Sequence, residues 1–269
     1  MANKNILRYI GILLILIGMN SALVSDEISA NQSWSSGTAY LLPVKRYEIG
    51  IFQPLRYGLS ETREISLHPI FAFVSPNLNL KLAHDKIGNL QFASDHGIIY
   101  PTILMNLISR EGTGGIISPE FEIPHMISIY NGVILSKPLG NYHLITVKVG
   151  FNFAIKFGEL DKRTTIDLPL VFPRLNVFYN SYGFRGGCDL KGKIFKKWYY
   201  LADIDIFYFP GADEDFAFEH KGLIQWNKSK KFQLCFGYKL SYCNYPFGSQ
   251  WHLLPAFDIQ FAKQLKTKK

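Results

Sequence analysis

Between residues 141 and 157 hydrophobic and polar side chains alternate with almost no error. His143, Ile145, Val147, Val149, Phe151, Phe153 and Ile155 fall on one face, and Thr146, Lys148, Gly150, Asn152, Ala154 and Lys156 fall on the other. A period of two is the signature of a strand. At ~3.3 Å per residue the stretch spans more than about 40 Å, far beyond the ~5 to 6 residues of an ordinary soluble strand and enough to cross a bilayer at a tilt of ~40°.

The same alternation recurs along the chain. Tyr47, Ile49 and Ile51 oppose Glu48 and Gly50; Ile65 and Leu67 oppose Glu64 and Ser66; Leu78, Leu80 and Leu82 oppose Asn77, Asn79 and Lys81. Further strands are predicted around Leu90 and Phe92, from Ile127 to Leu135, around Leu175, Val177 and Tyr179, and from Phe184 to Ile194. Four more follow, carrying Trp198 to Tyr208, Phe216 to Trp226, Phe232 to Tyr242, and Phe257 to Phe261. The total is about twelve, and even numbers are the rule for single-chain barrels of bacterial outer membranes. Residues 102–110 break the pattern. Ile103, Leu104, Leu107 and Ile108 share a helical face there, which predicts a short amphipathic helix. The glycine-rich stretch at 111–115 has neither the flanking elements nor the lysine of a phosphate loop, so it reads as a turn.

Composition sharpens this picture. The 269 residues are 48% hydrophobic and 15% aromatic, yet mean hydropathy is only +0.05. That is far too low for a bundle of membrane helices and suits a barrel whose apolar outside and polar inside average out along each strand. Lys4 and Arg8 precede an apolar run from Ile10 to Met19, with Ala22 or Ala30 as small-residue cut sites, the three parts of an export signal. Residues 31–37 read as a short disordered lead-in. The formal charge of +8 is concentrated partly in the leader and the tail, and no groove-reading motif or basic helix accompanies it, which argues against nucleic acid.

One stretch is familiar. Thr38-Ala39-Tyr40 with Leu42-Pro43, then Glu48-Ile49-Gly50 and the run from Phe52 to Leu59, resembles the opening of a poorly characterised group of bacterial outer-membrane β-barrel proteins. A weaker echo follows from Ser109 to Ile117. The resemblance implies a barrel in the outer membrane and no particular activity.

Candidate chemistry is sparse. The inward face would carry Lys148, Lys156, Arg174, Arg185, Asp189, Lys191, Asp203, Asp205, Glu219, Lys221, Lys239 and Asp258, with Glu48, Lys81 and Lys193 beside them. Such groups must pair or meet water, giving either a lumen filled by salt bridges or a mildly cation-lined passage that prefers anions. Aromatic residues gather at strand ends, where rings suit the headgroup zone: Tyr47, Trp198, Tyr208, Trp226, Tyr242 and Trp251. Cys235 and Cys243 sit eight positions apart on one strand, too far to bridge, and Cys188 faces outward, so three free thiols are expected. Ser249 and His252, with His220, are the candidates for a lipid-modifying hydrolase. No histidine or cysteine spacing suggests a metal, and no cofactor is expected.

The chain therefore reads as an all-β, up-and-down antiparallel transmembrane barrel, with residues 1–30 as a cleaved signal, 31–45 as lead-in, 46–263 as barrel and 264–269 as a basic tail. Residues 101–124 would plug or cap it. The expected address is the outer membrane of a double-membraned bacterium, with the lipid bilayer and the barrel-insertion machinery as partners. The expected role is porin-like or structural rather than enzymatic. A lipid-modifying hydrolase and an exported soluble barrel or sandwich that binds a ligand are the alternatives.

Overall fold

The structure, a computed structural model, describes residues 34–112, 117–164, 174–211, 215–245 and 248–266. The export signal expected within residues 1–30 lies outside them. The described residues form a closed barrel of twelve antiparallel strands, each paired with its neighbours in sequence and the first sealed against the last. The strands are β1 (Arg46–Gly50), β2 (Leu55–Gly58), β3 (Arg63–Leu67), β4 (Asn77–Ile87), β5 (Leu90–Ile99) and β6 (His125–Leu139). They continue as β7 (His143–Phe157), β8 (Tyr182–Phe195), β9 (Trp198–Tyr208), β10 (Phe216–Ser229), β11 (Phe232–Tyr245) and β12 (Gly248–Gln264). The seam pairs Arg46–Gly50 with Gln260–Gln264 and closes the wall into a ring.

The period-two pattern decides which surface each side chain meets. On β7, β9 and β11 the apolar residues Phe151, Ile204 and Phe236 are about 40% exposed (38%, 42% and 43%), whereas Lys148 and Asp203 between them are nearly buried. The barrel is thus apolar outside and charged inside, the reverse of a water-soluble fold. The outer face is interrupted on β4, β5 and β6. There Ser94 Oγ lies 2.7 Å from His84 Nε2 and 3.0 Å from His96 Nε2, and His96 Nδ1 lies 2.7 Å from Asn131 Oδ1.

The two ends differ. At one end, where β1 begins and β12 finishes, adjacent strands join through tight turns, and Gly88 and Gly140 adopt φ of +60° and +59° there, values that favour glycine. At the other end the β3–β4, β5–β6 and β7–β8 connections are long. Three short helices, Pro69–Ala72, Thr102–Ile108 and Asn176–Asn180, sit in them. Leu104, Met105, Ile117, Leu160, Leu175, Val177 and Phe178 pack there onto the inward Met126 and Ala154 and onto Phe209. This cluster is an apolar cap over part of the mouth.

Three readings of the sequence require correction. Residues 175–179 are not a strand: Asn176, Val177 and Phe178 are all buried in succession, which a half-buried strand cannot do, and the cap winds them into a helix. β2 replaces that strand in the total, so the number twelve came from one element misread and one overlooked. The Thr102–Ile108 helix exists, but it buries Leu104 and Met105 and leaves Ile103 and Leu107 exposed. Finally, residues 34–43 do not form a loose lead-in; Trp34, Ser35, Thr38, Ala39, Leu41 and Leu42 are buried inside the tight-turn end of the lumen.

Candidate functional site

The N-terminal segment is held by its backbone. The Trp34 N–H donates to Glu48 Oε1 (2.8 Å), the Ala39 N–H to Ser136 Oγ (2.9 Å) and the Leu42 N–H to Glu64 Oε2 (2.7 Å). In the other direction Lys81 Nζ donates to the Thr38 carbonyl (3.1 Å) and Lys191 Nζ to that of Trp34. The carboxylates are themselves fixed. Arg56 bridges Glu48 (3.1 Å) and Glu64 (2.8 Å), while Arg46 binds Glu48 (2.8 Å) and reaches the Lys230 carbonyl in the β10–β11 turn (2.8 Å). A peptide outside the sheet, turned over Ser35–Thr38, carries unpaired donors and acceptors into the barrel, and polar and charged side chains of the wall satisfy them. The result is a plug.

At mid-height a second network crosses four strands. Lys148 Nζ on β7 meets Asp189 (2.7 Å), Asp203 (3.3 Å) and Asp205 (3.6 Å); Lys221 binds Asp203 (2.8 Å), and Arg185 grips Asp205 with two nitrogens (2.7 and 3.1 Å). Glu219 joins Lys239 (2.8 Å) to Arg174 (3.0 Å). Gly187 makes room, since a Cβ there would collide with the Asp205 carboxylate. Asp203, Asp205 and Glu219 are each shared between two cations, and Asp189 pairs with Lys148 alone among the described residues. Such sharing offsets the desolvation that burial imposes on a lone charge.

Two cavities lie along the axis. The one beneath the cap has a volume of about 490 Å³, and the one beside the plug about 350 Å³; Asn79, Asp95, Arg185, Asp203, Lys221 and Lys239 line both. Most of the charged residues expected in the lumen therefore converge at one level. Arg174 arrives from the segment before the Asn176–Asn180 helix rather than from a strand, and also donates to Ser241 Oγ (2.8 Å). Asp258 serves the wall: its carboxylate accepts the N–H groups of Ile51 (2.7 Å), Phe52 (3.1 Å) and Gln53 (3.2 Å), fastening the β1–β2 turn. Lys191 belongs to the plug, and Lys156 stands near the upper end of β7, lining neither cavity. Sequence reasoning missed Arg56, because β2 is too short for its alternation to be visible. It also passed over Tyr130, whose inward ring rests where Cβ atoms at Gly132 and Gly150 would stand.

The aromatic residues divide by height. Tyr47, Trp198 and Trp226 stand near the tight-turn end, with the two indoles stacked at 6.3 Å. Tyr208, Tyr242 and Trp251 stand near the long-loop end, the last two with ring centroids 4.7 Å apart. The hydrolase candidates do not assemble. Ser249 donates to Asn244 Oδ1 (2.8 Å), and on β12 it alternates to the opposite face from His252. His220 lies 2.9 Å from the Asp203 carbonyl and 3.0 Å from the Tyr238 hydroxyl. Cys188, Cys235 and Cys243 are free thiols, and the described residues contain no cluster that could hold a metal.

No protein-family model matches the sequence, and no curated protein matches it. Among solved structures the chain is similar to a bacterial polysaccharide outer membrane secretin, with 8% identity and a TM-score of 0.42 over 80% of this chain and 69% of that one. It is also similar to the outer membrane channel DcaP of Acinetobacter baumannii (7%, 0.37, 78% and 61%) and to OccK11 (OpdR) of Pseudomonas aeruginosa (12%, 0.38, 87% and 62%). The chain thus spans about two thirds of the length of these proteins or a little less. Its own closure into twelve strands is defined by the pairing of β1 with β12.

Proposed function

We propose that this chain is an integral outer-membrane barrel of porin-like build, with a lumen that is plugged and ionically braced rather than wide open. The observation that carries the reading is the inversion of the wall: exposed Phe151, Ile204, Phe236, Leu253 and Phe257 outside, buried Lys148, Asp189 and Asp203 inside. Exposed apolar belts of this extent are stable in lipid and a liability in water. The same belt disfavours a soluble carrier barrel, and the opposed faces of Ser249 and His252 disfavour a hydrolase. A passage for small solutes is supported by the lining residues that the two cavities share, provided that residues 34–43 leave the lumen.

The test is fractionation followed by planar-bilayer recording. The protein is expected in the outer membrane, migrating faster on gels before boiling than after. The full chain should give rare, small current steps, and a chain lacking residues 34–43 should give frequent, larger ones. Recovery from the soluble periplasm without a shift on boiling would overturn the membrane reading, and steady large currents from the full chain would overturn the plug.

A further inference from the structure

The cavity beneath the cap has an unequal hydrogen-bonding valence. On the β8 to β11 side every carboxylate is spoken for, each held by two cations: Glu219 by Arg174 and Lys239, Asp203 by Lys148 and Lys221, Asp205 by Lys148 and Arg185. The cations are less consumed. An ammonium has three N–H donors and a guanidinium five, so Lys221, with its one ion pair to Asp203, and Arg185, with two nitrogens on Asp205, keep donors to spare. Exposure agrees. The side chains of Arg185 and Lys221 are 31% and 36% accessible from the lumen, against 8% to 12% for Asp205, Asp203 and Glu219. What this wall offers a solute is positive and donating.

The adjoining β5 to β7 side offers the opposite. Asn152 Oδ1 is buried and has no hydrogen-bond partner among the described residues. Asp95, fixed by the Asn79 amide, and the Tyr130 ring line the cavity beside it. These groups, the carboxylate above all, call for a donor. A volume of about 490 Å³ is well within the ~300 to 1,000 Å³ of small-molecule sites and far too large for a bare inorganic anion.

We infer that this cavity binds a small bipolar solute, a carboxylate at one end with hydroxyl or ammonium donors at the other. The carboxylate lies against Arg185 and Lys221, and the donors face Asn152 and Asp95. A sugar acid and an amino acid share this chemistry. The inference rests on the proposed role as a solute-accessible barrel, but binding is measurable on protein in detergent whatever the membrane behaviour.

The experiment is calorimetric titration of the full chain with gluconate and with L-serine, against sorbitol, which lacks the carboxylate, and butyrate, which lacks the donors. Folding of each variant is checked by its gel shift on boiling. Saturable binding is expected for gluconate or serine, whichever has the fitting donor end, and not for sorbitol or butyrate. Lys221→Met is expected to weaken it about tenfold or more, as loss of one charge-assisted hydrogen bond does. Asn152→Leu should weaken the donor-bearing probes without creating butyrate binding. A folded, heat-shifting protein that binds neither probe, or binds them equally in both variants, overturns the inference and leaves the barrel standing. Absence of the heat shift from the wild-type chain instead removes the barrel reading.

Discussion

Glu64 and Asp161 show how differently two ion-paired acids can matter. Glu64 is almost wholly buried, accepts from Arg56 and the Leu42 N–H, and lies 3.6 Å from Lys81. Glu64→Ala takes the carboxylate from Lys81, leaves Arg56 with Glu48 alone and unpairs a plug N–H, and a loss of about 3 kcal/mol is expected, read as a lower midpoint in urea unfolding. An unchanged midpoint would mean that the lumen is wet enough to solvate those cations. Asp161, in the exposed loop after β7, is held by hydrogen bonds from the Arg163 side chain and backbone, which draw its carboxyl down to about 2. A depressed acid contributes above its unfolded value of ~3.9 and loses that contribution as pH falls through the folded one. Its chemical shift should therefore titrate at about 2, and at a higher pH in Arg163→Ala, which keeps only the backbone N–H. Titration in the usual range in the wild-type chain would contradict the loop geometry.

The long strands were legible in the sequence because each carries two chemically different faces over 11 to 17 residues in β4, β6 to β12. The elements that escaped lack that redundancy. β2 has four residues and follows Pro54, too few for a period to declare itself. Residues 174–180 do alternate, but burial in the cap on all sides overrides the pattern. For residues 34–43 no local signal exists at all: the partners that fix them, Glu48, Glu64, Lys81, Ser136 and Lys191, are scattered over five strands and become neighbours only when the wall closes. Alternation assigns a strand charge such as Lys148 or Asp203 to a face; which charge meets which needed the register. The plug's dependence on backbone donors has a testable corollary. Leu42→Pro removes the N–H that Glu64 accepts, so the segment, expected to resist protease in the folded wild-type barrel, should be cut in the variant while the wall stays intact. Equal resistance in both proteins would show that side-chain burial alone holds it.

At the scale of the whole molecule the fold is a solvent inversion. Twelve strands enclose more width than an eight-stranded barrel can fill with side chains, and this chain fills the surplus with a peptide plug, a helical cap and shared ion pairs. Its wall is uneven: β6 and β7 run to 15 residues, whereas β1 to β3 have four or five, about 13 to 17 Å at ~3.3 Å per residue. The central claim is that the wall's outer side chains lie in lipid and its inner ones do not. Spin labels placed one at a time at residues 145 to 155 of a chain with serine at Cys188, Cys235 and Cys243, reconstituted in liposomes, measure this directly. Collision with oxygen, which concentrates in lipid, should peak at Ile145, Val147, Val149, Phe151, Phe153 and Ile155 and fall at every residue between. A flat profile, or maxima at Thr146, Lys148 and Asn152 instead, would contradict it.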